Sequence, residues 1–256
     1  HPSEFKGKTI LEMTDLVSES YRQIIRKLSI INPLKYIYIL ERLLIKMYER
    51  KVSNRFDKIV FISSKELFEA KKFIDKDKII VVENSFNIQK NIFKFKKNNN
   101  KILFLGDINY LPNKIACKEF AKKVLPKLNK KYPNLVFHIF GKISPLQKFV
   151  MNSYKNVEVH GPVSSLKSVF RNSVCGICNV KIATGFQNKI PTYMSYGIPA
   201  VVSKDSFSKK FFKNNKDIIV FSNNNNLIKM IFRLVEEKKL ANKISRNSLS
   251  TIKKKL

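Results

Sequence analysis

From Lys101 onward, short apolar runs alternate with amphipathic stretches of helical period. This is the sequence form of a doubly wound parallel α/β sheet, Rossmann-like in type. Strands are predicted at 102–105, 135–140, 157–160, 174–179, 200–202 and 217–221. Helices fit between them at 114–131, 145–153, 164–171, 188–196 and 207–212, with a long pair from 226 to the end. Gly106, Gly141 and Gly161 each directly follow a strand. Ligands of open α/β sheets sit outside the carboxyl ends of the strands, so these glycines, with Gly185, would rim one crevice. Turns without a ligand explain strand-end glycines equally well.

The N-terminal part carries a smaller βα pattern, with strands near 10–13, 58–61 and 78–82 and helical segments at 16–29 and 34–51. The asparagine and lysine-rich stretch 89–100 reads as an interdomain linker. The expected domains are therefore 1–88, a partial N-terminal domain, and 101–256. Three strands are few for a complete lobe of this kind, and the chain opens at His1 with a strand pattern almost at once. A fragment whose N-terminal part is missing is the expectation. No internal repeat is evident.

Composition narrows the class. A chain of 256 residues, 44% hydrophobic, can bury one large core or two modest ones. It has no run of about 18 uncharged apolar residues and no secretory pattern at its start, which leads to the expectation of a cytoplasmic protein. The net charge of +31, from 50 basic and 19 acidic residues, raises nucleic acid or an anionic membrane surface. Asparagine, isoleucine and lysine rise together, lysine far outnumbers arginine, and no zinc-finger or RNA-binding signature appears. General compositional drift accounts for the charge, and no nucleic-acid partner is expected. Cys175 and Cys178 have the spacing of a redox pair or half a metal site, but no second pair exists and strand alternation would turn the two thiols to opposite faces. They read as reduced core cysteines.

The segment richest in chemistry runs from Lys181 through Gly185, Phe186, Gln187, Asn188 and Lys189 to Gly197 and Pro199. It is a polar glycine turn, a short amphipathic helix and a step into an apolar strand. Gly185 would let the backbone approach a ligand, and the helix-start amides and dipole favour phosphate. Lys181 and Lys189 flank the turn and would add charge, while Gln187 and Asn188 offer hydrogen bonds of the kind that hold sugar hydroxyls. The plainer reading is an ordinary loop capped by Asn188, with each lysine on a solvated helix face.

These motifs carry a resemblance. Phe104, Gly106, Asn109, Tyr110, Pro112 and Asn113, then Leu125-Pro126, then Phe140-Gly141, then Val159, His160, Gly161 and Val163, and the run from Lys181 to Lys189, stand in one order. Together they resemble the GT-B glycosyltransferases, family 4, and its exosortase-associated sugar transferase branch. Upstream, Met13, Asp15, Ser18, Glu41, Tyr48, Glu49, Phe56 and Asp57 resemble the latter half of the partner domain.

The resemblance implies a GT-B fold and transfer of a sugar from a nucleotide-diphosphate donor to a glycan or lipid-linked acceptor in surface polysaccharide or glycolipid synthesis. It implies retention of configuration and no metal or other cofactor. By the same resemblance Gly106, Asn113, Gly161 and Val163 lie at the donor, with Val163 and its neighbours at the base. Lys181, Gly185, Phe186, Gln187 and Lys189 neutralise the departing diphosphate, Gln187 or Asn188 holds the sugar, and Thr192 faces the ribose. The wider family holds the donor with two glutamates eight positions apart, here Thr184 and Thr192. The branch also lacks the first. Loss of the second removes a carboxylate that would bind a ribose diol, which leaves open a degenerate GT-B protein acting as a non-enzymatic glycan-assembly subunit.

Two further readings follow. His138 falls in mid-strand as a core residue and His160 at a strand end. The basic and aromatic run through Lys35, Tyr36, Tyr38, Arg42, Lys46 and Tyr48 fits either packing on the lobe's own sheet or peripheral contact with an anionic membrane.

Overall fold

The computed structural model describes residues 5–13, 15–62, 67–82, 84–86, 89, 92–182 and 186–255. The chain divides into two compact units, one of residues 1–84 with 182–186 and one of 85–181 with 187–256.

The first unit holds a three-stranded parallel sheet in the order β1-β2-β3, from Ile10–Glu12, Lys58–Phe61 and Ile79–Val81. Alternation along β2 turns Ile59 and Phe61 inward, where they meet Leu16, Ala70 and Ile74. Helices α1 (Val17–Lys27) and α2 (Leu34–Ser53) lie between β1 and β2 in sequence, and α3 (Leu67–Ala70) follows β2. Tyr21 and Tyr38 meet edge to face across α1 and α2 at 5.2 Å. Ser18 donates from its backbone N and its Oγ to the buried Glu49 carboxylate at 3.1 and 2.6 Å. One side of α2 does not pack on this unit's sheet. Ile37, Leu40, Leu44 and Met47 are 52 to 69% exposed. Among the described residues no helix is long and apolar enough to cross a membrane.

The second unit is a six-stranded parallel sheet, β6-β5-β4-β7-β8-β9. Its strands are β4 (Lys101–Leu105), β5 (Val136–Phe140), β6 (Val157–Gly161), β7 (Ser173–Cys178), β8 (Ala200–Ser203) and β9 (Ile219–Phe221). The chain runs outward from β4 to β6, then crosses to the other side of β4 for β7. Strand order thus reverses at β4 and β7, which opens a crevice at their carboxyl ends. Ile102, Leu103, Phe104, Phe137, Ile139, Cys175, Ile177 and Val201 are fully buried. Burial of both faces is why these strands read as continuous apolar runs.

The helices are α4 (Leu111–Glu119), α5 (Leu125–Lys131), α6 (Pro145–Asn152), α7 (Leu166–Val169), α8 (Lys189–Ser195), α9 (Asn224–Glu236) and α10 (Lys238–Lys255). The helix expected at 114–131 begins earlier, at Leu111, with Pro112 in its first turn, where a missing donor costs little. It also contains a π-helical turn at Phe120–Val124, closed by the Leu125 N–H on the Phe120 carbonyl. Pro126 explains the widening, because it has no N–H and its ring crowds the carbonyl four residues back.

Two expectations are corrected. No helix forms at 207–212. Just before it, the Ser206 hydroxyl donates to the Val180 carbonyl and the Ser206 amide to Ser203 Oγ; within it, the amides of Phe211 and Phe212 both reach the Ser208 carbonyl, a single turn that is not continued. The serine side-chain bonds fix the chain at Ser206, and the segment closes one turn only. The last strand starts at Ile219 instead of 217 because the buried Asp217 carboxylate accepts from the Lys213 amide. In the stretch read as a linker, the amides of Gln89 and Ile92 donate to the carbonyls of Ser195 and Tyr196, Phe93 is buried, and Asn99 Nδ2 donates to the Ser173 carbonyl. The three cysteines are unpaired and buried.

Candidate functional site

The carboxyl ends of β4, β5 and β6 are tied in a row by backbone alone. The Gly106 amide donates to the Phe140 carbonyl and the Gly141 amide to the Gly161 carbonyl, each at 2.9 Å. A Cβ on Gly141 would lie 2.0 Å from the Gly106 carbonyl oxygen, so this approach requires glycine. Gly106, with φ +153°, serves a different end. A Cβ there would stand 2.8 Å from Asn113 Nδ2 and 3.3 Å from Lys189 Nζ. The missing side chain lets these two polar groups come over the end of the central strand.

Three residues marked in the sequence therefore meet. Lys189 Nζ donates to Asn113 Oδ1 at 2.8 Å, and Asn113 Nδ2 donates to the Asp107 carbonyl at 2.9 Å. The ammonium also lies 4.1 Å from the centre of the Phe104 ring, within cation–π range. Among the described residues no carboxylate pairs with it, and burial pulls its pKa below that of an ordinary lysine. Among the described residues this partly buried cation meets an amide and a ring face, an arrangement able to receive an anion.

Tyr193 places this lysine. Four residues apart on α8, the two share a helix face. The Tyr193 hydroxyl accepts from the Leu105 amide at 2.9 Å and lies 3.4 and 3.3 Å from the carbonyls of Leu103 and Ile177. Its ring lies against Gly176 of β7, where a Cβ would meet ring carbons at 2.4 Å. The signal for this was a lone glycine inside an apolar strand, the mark of a close approach. Neither residue was marked from sequence.

The remaining residues separate. Lys181 is committed to Glu119 at 2.7 Å, and Glu119 also accepts from Asn224 Nδ2 at 3.0 Å. Lys181 joins Lys122, Lys123, Lys127 and Lys130 around a cavity of about 720 Å³. The two lysines read as flanking one turn thus hold different partners. Asn188 precedes α8 without a side-chain cap bond, and its carbonyl accepts from the Thr192 hydroxyl at 2.8 Å. The Thr192 proton is turned to its own helix, leaving the oxygen's lone pairs for a ligand. The Gln187 carbonyl accepts from the Ile190 amide at 3.0 Å. Phe186 is half-buried, Val163 is 39% exposed, and Gly161 has no atom within 4 Å of where a Cβ would stand. Thr184 and Gly185 lie outside the described residues.

A second cluster was read from sequence only as a core residue and a strand-end residue. His138 Nδ1 lies 2.9 Å from His160 Nε2, and one Glu158 oxygen lies 3.4 and 3.5 Å from these atoms. Burial pushes the pKa of His138 down to about 4.

A search of curated protein sequences gives no match. S. aureus TarM, solved with UDP, superposes with a TM-score of 0.68 at 16% identity over 82% of this chain and 43% of that one. Anabaena HepE, solved with UDP and glucose, gives 0.67 at 12% over 95% and 66%. Sucrose-phosphate synthase from Thermosynechococcus elongatus gives 0.70 at 11% over 98% and 64%. The chain spans less than half the length of TarM and about two thirds of the other two. These likenesses show the GT-B fold. The family profile described as glycosyl transferases group 1 matches residues 99–237, more than half of the chain, including all six strands of the second unit's sheet and its helices α4 to α9. The chain belongs to the group 1 glycosyltransferase family.

Proposed function

We propose that this chain binds a nucleoside diphosphate sugar through its second unit and takes part in transfer of the sugar to a glycan or lipid-linked acceptor. The observation that carries this is Lys189, a half-buried ammonium without a carboxylate partner among the described residues, fixed at the end of the central strand where the strand order reverses. A diphosphate accepts charge from such a group as it leaves, and stabilising that developing charge is the main catalytic work available here. Gly106 and Asn113 shape the phosphate seat, and the open space at Gly161 and the exposed Val163 form the base side. Thr192, Gln187 and Asn188 lie on the ribose and sugar side.

UDP is the favoured nucleotide because the structures of TarM and HepE contain it. The finer assignment is to family 4 and its exosortase-associated branch, with retention of configuration, no metal in the transfer step and a role in surface polysaccharide or glycolipid synthesis. The motif order from Phe104 to Lys189 supports it. The exposed apolar side of α2, with Lys35 and Lys46 beside it, supports peripheral contact with an anionic membrane at the cytoplasmic face. A second reading, a non-enzymatic assembly subunit, is favoured by one observation, the threonine at 192 whose hydroxyl is bonded to its own helix.

A thermal-shift panel of nucleoside diphosphates and their sugars tests the first reading. UDP and UDP-sugars are expected to raise the melting temperature in proportion to occupancy. A flat response across the whole panel counts against a donor site.

A further inference from the structure

We propose that His138, Glu158 and His160 form a binding site for a divalent transition-metal ion, zinc foremost, on the outer edge of the six-stranded sheet and separate from the transfer chemistry. Strands β5 and β6 run parallel with His138 opposite Glu158. Side chains two apart along β6 share a face, so Glu158 and His160 both turn to the side on which His138 lies. Two imidazoles and one carboxylate thus converge from neighbouring strands, their ligand atoms within 4.8 Å of one another.

The separations suit an ion. Tetrahedral zinc with bonds of about 2.0–2.1 Å holds its ligand atoms about 3.3 Å apart. The Glu158 oxygen already stands 3.4 and 3.5 Å from the two imidazole nitrogens. The nitrogens themselves share a hydrogen bond at 2.9 Å; an ion would replace it once the shared proton has moved to the other nitrogen of its ring and the pair has opened by about 0.4 Å. Phe140 backs both rings: its ring centre is 4.4 Å from that of His160 and 6.3 Å from that of His138, with interplanar angles of 10° and 8°. The imidazoles are held in position before any ion arrives.

Access and ligand count agree. The His138 side chain is 7% exposed, His160 36% and Glu158 55%. An ion would enter from the Glu158 side and keep a coordination position toward solvent, as three-ligand zinc sites with two histidines and a glutamate do. Lys101 and Lys148 lie near the imidazoles and oppose a cation, while the Glu158 carboxylate offsets them. Held this way, the ion would clip edge strand β6 to β5 immediately before Gly161.

The test uses the intact chain, freed of metal by dialysis against chelator and titrated with zinc chloride by calorimetry. One zinc per chain and a higher melting temperature with zinc are expected. Both should be lost in His160→Ala and in Glu158→Ala, whose side chains are exposed enough to be removed without unfolding the sheet, as circular dichroism would verify. Cobalt(II) should give the intense visible spectrum of a four-coordinate site in the wild type and not in the variants. UDP binding by Glu158→Ala should persist, which separates failure of this site from failure of the donor site. No saturable zinc binding, or an unchanged stoichiometry in both variants, would overturn the proposal; the latter would place the ion elsewhere, for example at His1.

Discussion

Lys189 and Asn113, 76 positions apart in sequence, meet at 2.8 Å over the end of the central strand. Gly106 makes the meeting possible, because a Cβ there would stand 2.8 Å from the Asn113 amide nitrogen. Gly106→Ala must therefore displace the pair and also strain a backbone at φ +153°. It should cost about 1–3 kcal/mol of stability, measured by urea unfolding, and weaken UDP binding about tenfold or more.

Tyr193 and Gly176 set the seat of α8. With a Cβ 2.4 Å from the Tyr193 ring, Gly176→Ala should lose about 1–3 kcal/mol through overpacking. Tyr193→Phe leaves the Leu105 amide without its acceptor and should lose a similar amount, about 1–3 kcal/mol. Chemical unfolding of both variants checks this. Losses below about 0.5 kcal/mol in both would mean that Tyr193 does not anchor the helix.

Glu49 gives the first unit a pH signature. Burial, partly opposed by the two bonds from Ser18, raises its pKa above 4.5. The folded state therefore holds this proton more tightly than the unfolded one. Stability from this group is present below about 4.5 and is lost as pH rises through the raised pKa. Glu49→Gln should remove that slope while Gln still bonds Ser18, leaving the variant at least as stable at pH 7. A steeper slope in the variant would contradict the assignment.

Thr192 separates the two functional readings. A glutamate there would offer a ribose diol two acceptors and would also sit favourably in the first turn of a helix. Thr192→Glu is expected to tighten UDP binding about tenfold, by about 1–2 kcal/mol, in a titration against wild type. A large gain would point to decay from an active ancestor; no gain would mean an adapted site in which other groups hold the ribose.

Much of this was legible in the sequence because the physics was local. Strands buried on both faces wrote themselves as apolar runs, and Gly106, Gly141 and Lys189 lie at one end of the sheet. Failures came where a side chain spent its hydrogen bonds away from the pattern. Ser206 fixed the chain just before an expected helix that closes one turn only, Asp217 undid the start of a strand, and Pro126 forced a π turn that periodicity does not encode. In the site, residue types were legible but partners were not. Lys181 and Lys189 looked equivalent until Glu119 took one and Asn113 the other. The His138, Glu158 and His160 cluster depends on the register between two strands, which no single stretch of sequence carries.

The most direct test of the account is calorimetric titration of the chain with UDP, wild type against Lys189→Met. The account predicts saturable binding by the wild type, weakened in the variant by about 1–3 kcal/mol, the scale of a hydrogen bond to a charged group. Equal affinity in the two proteins would contradict it, because the cation at the end of the central strand would then have no part in holding the diphosphate.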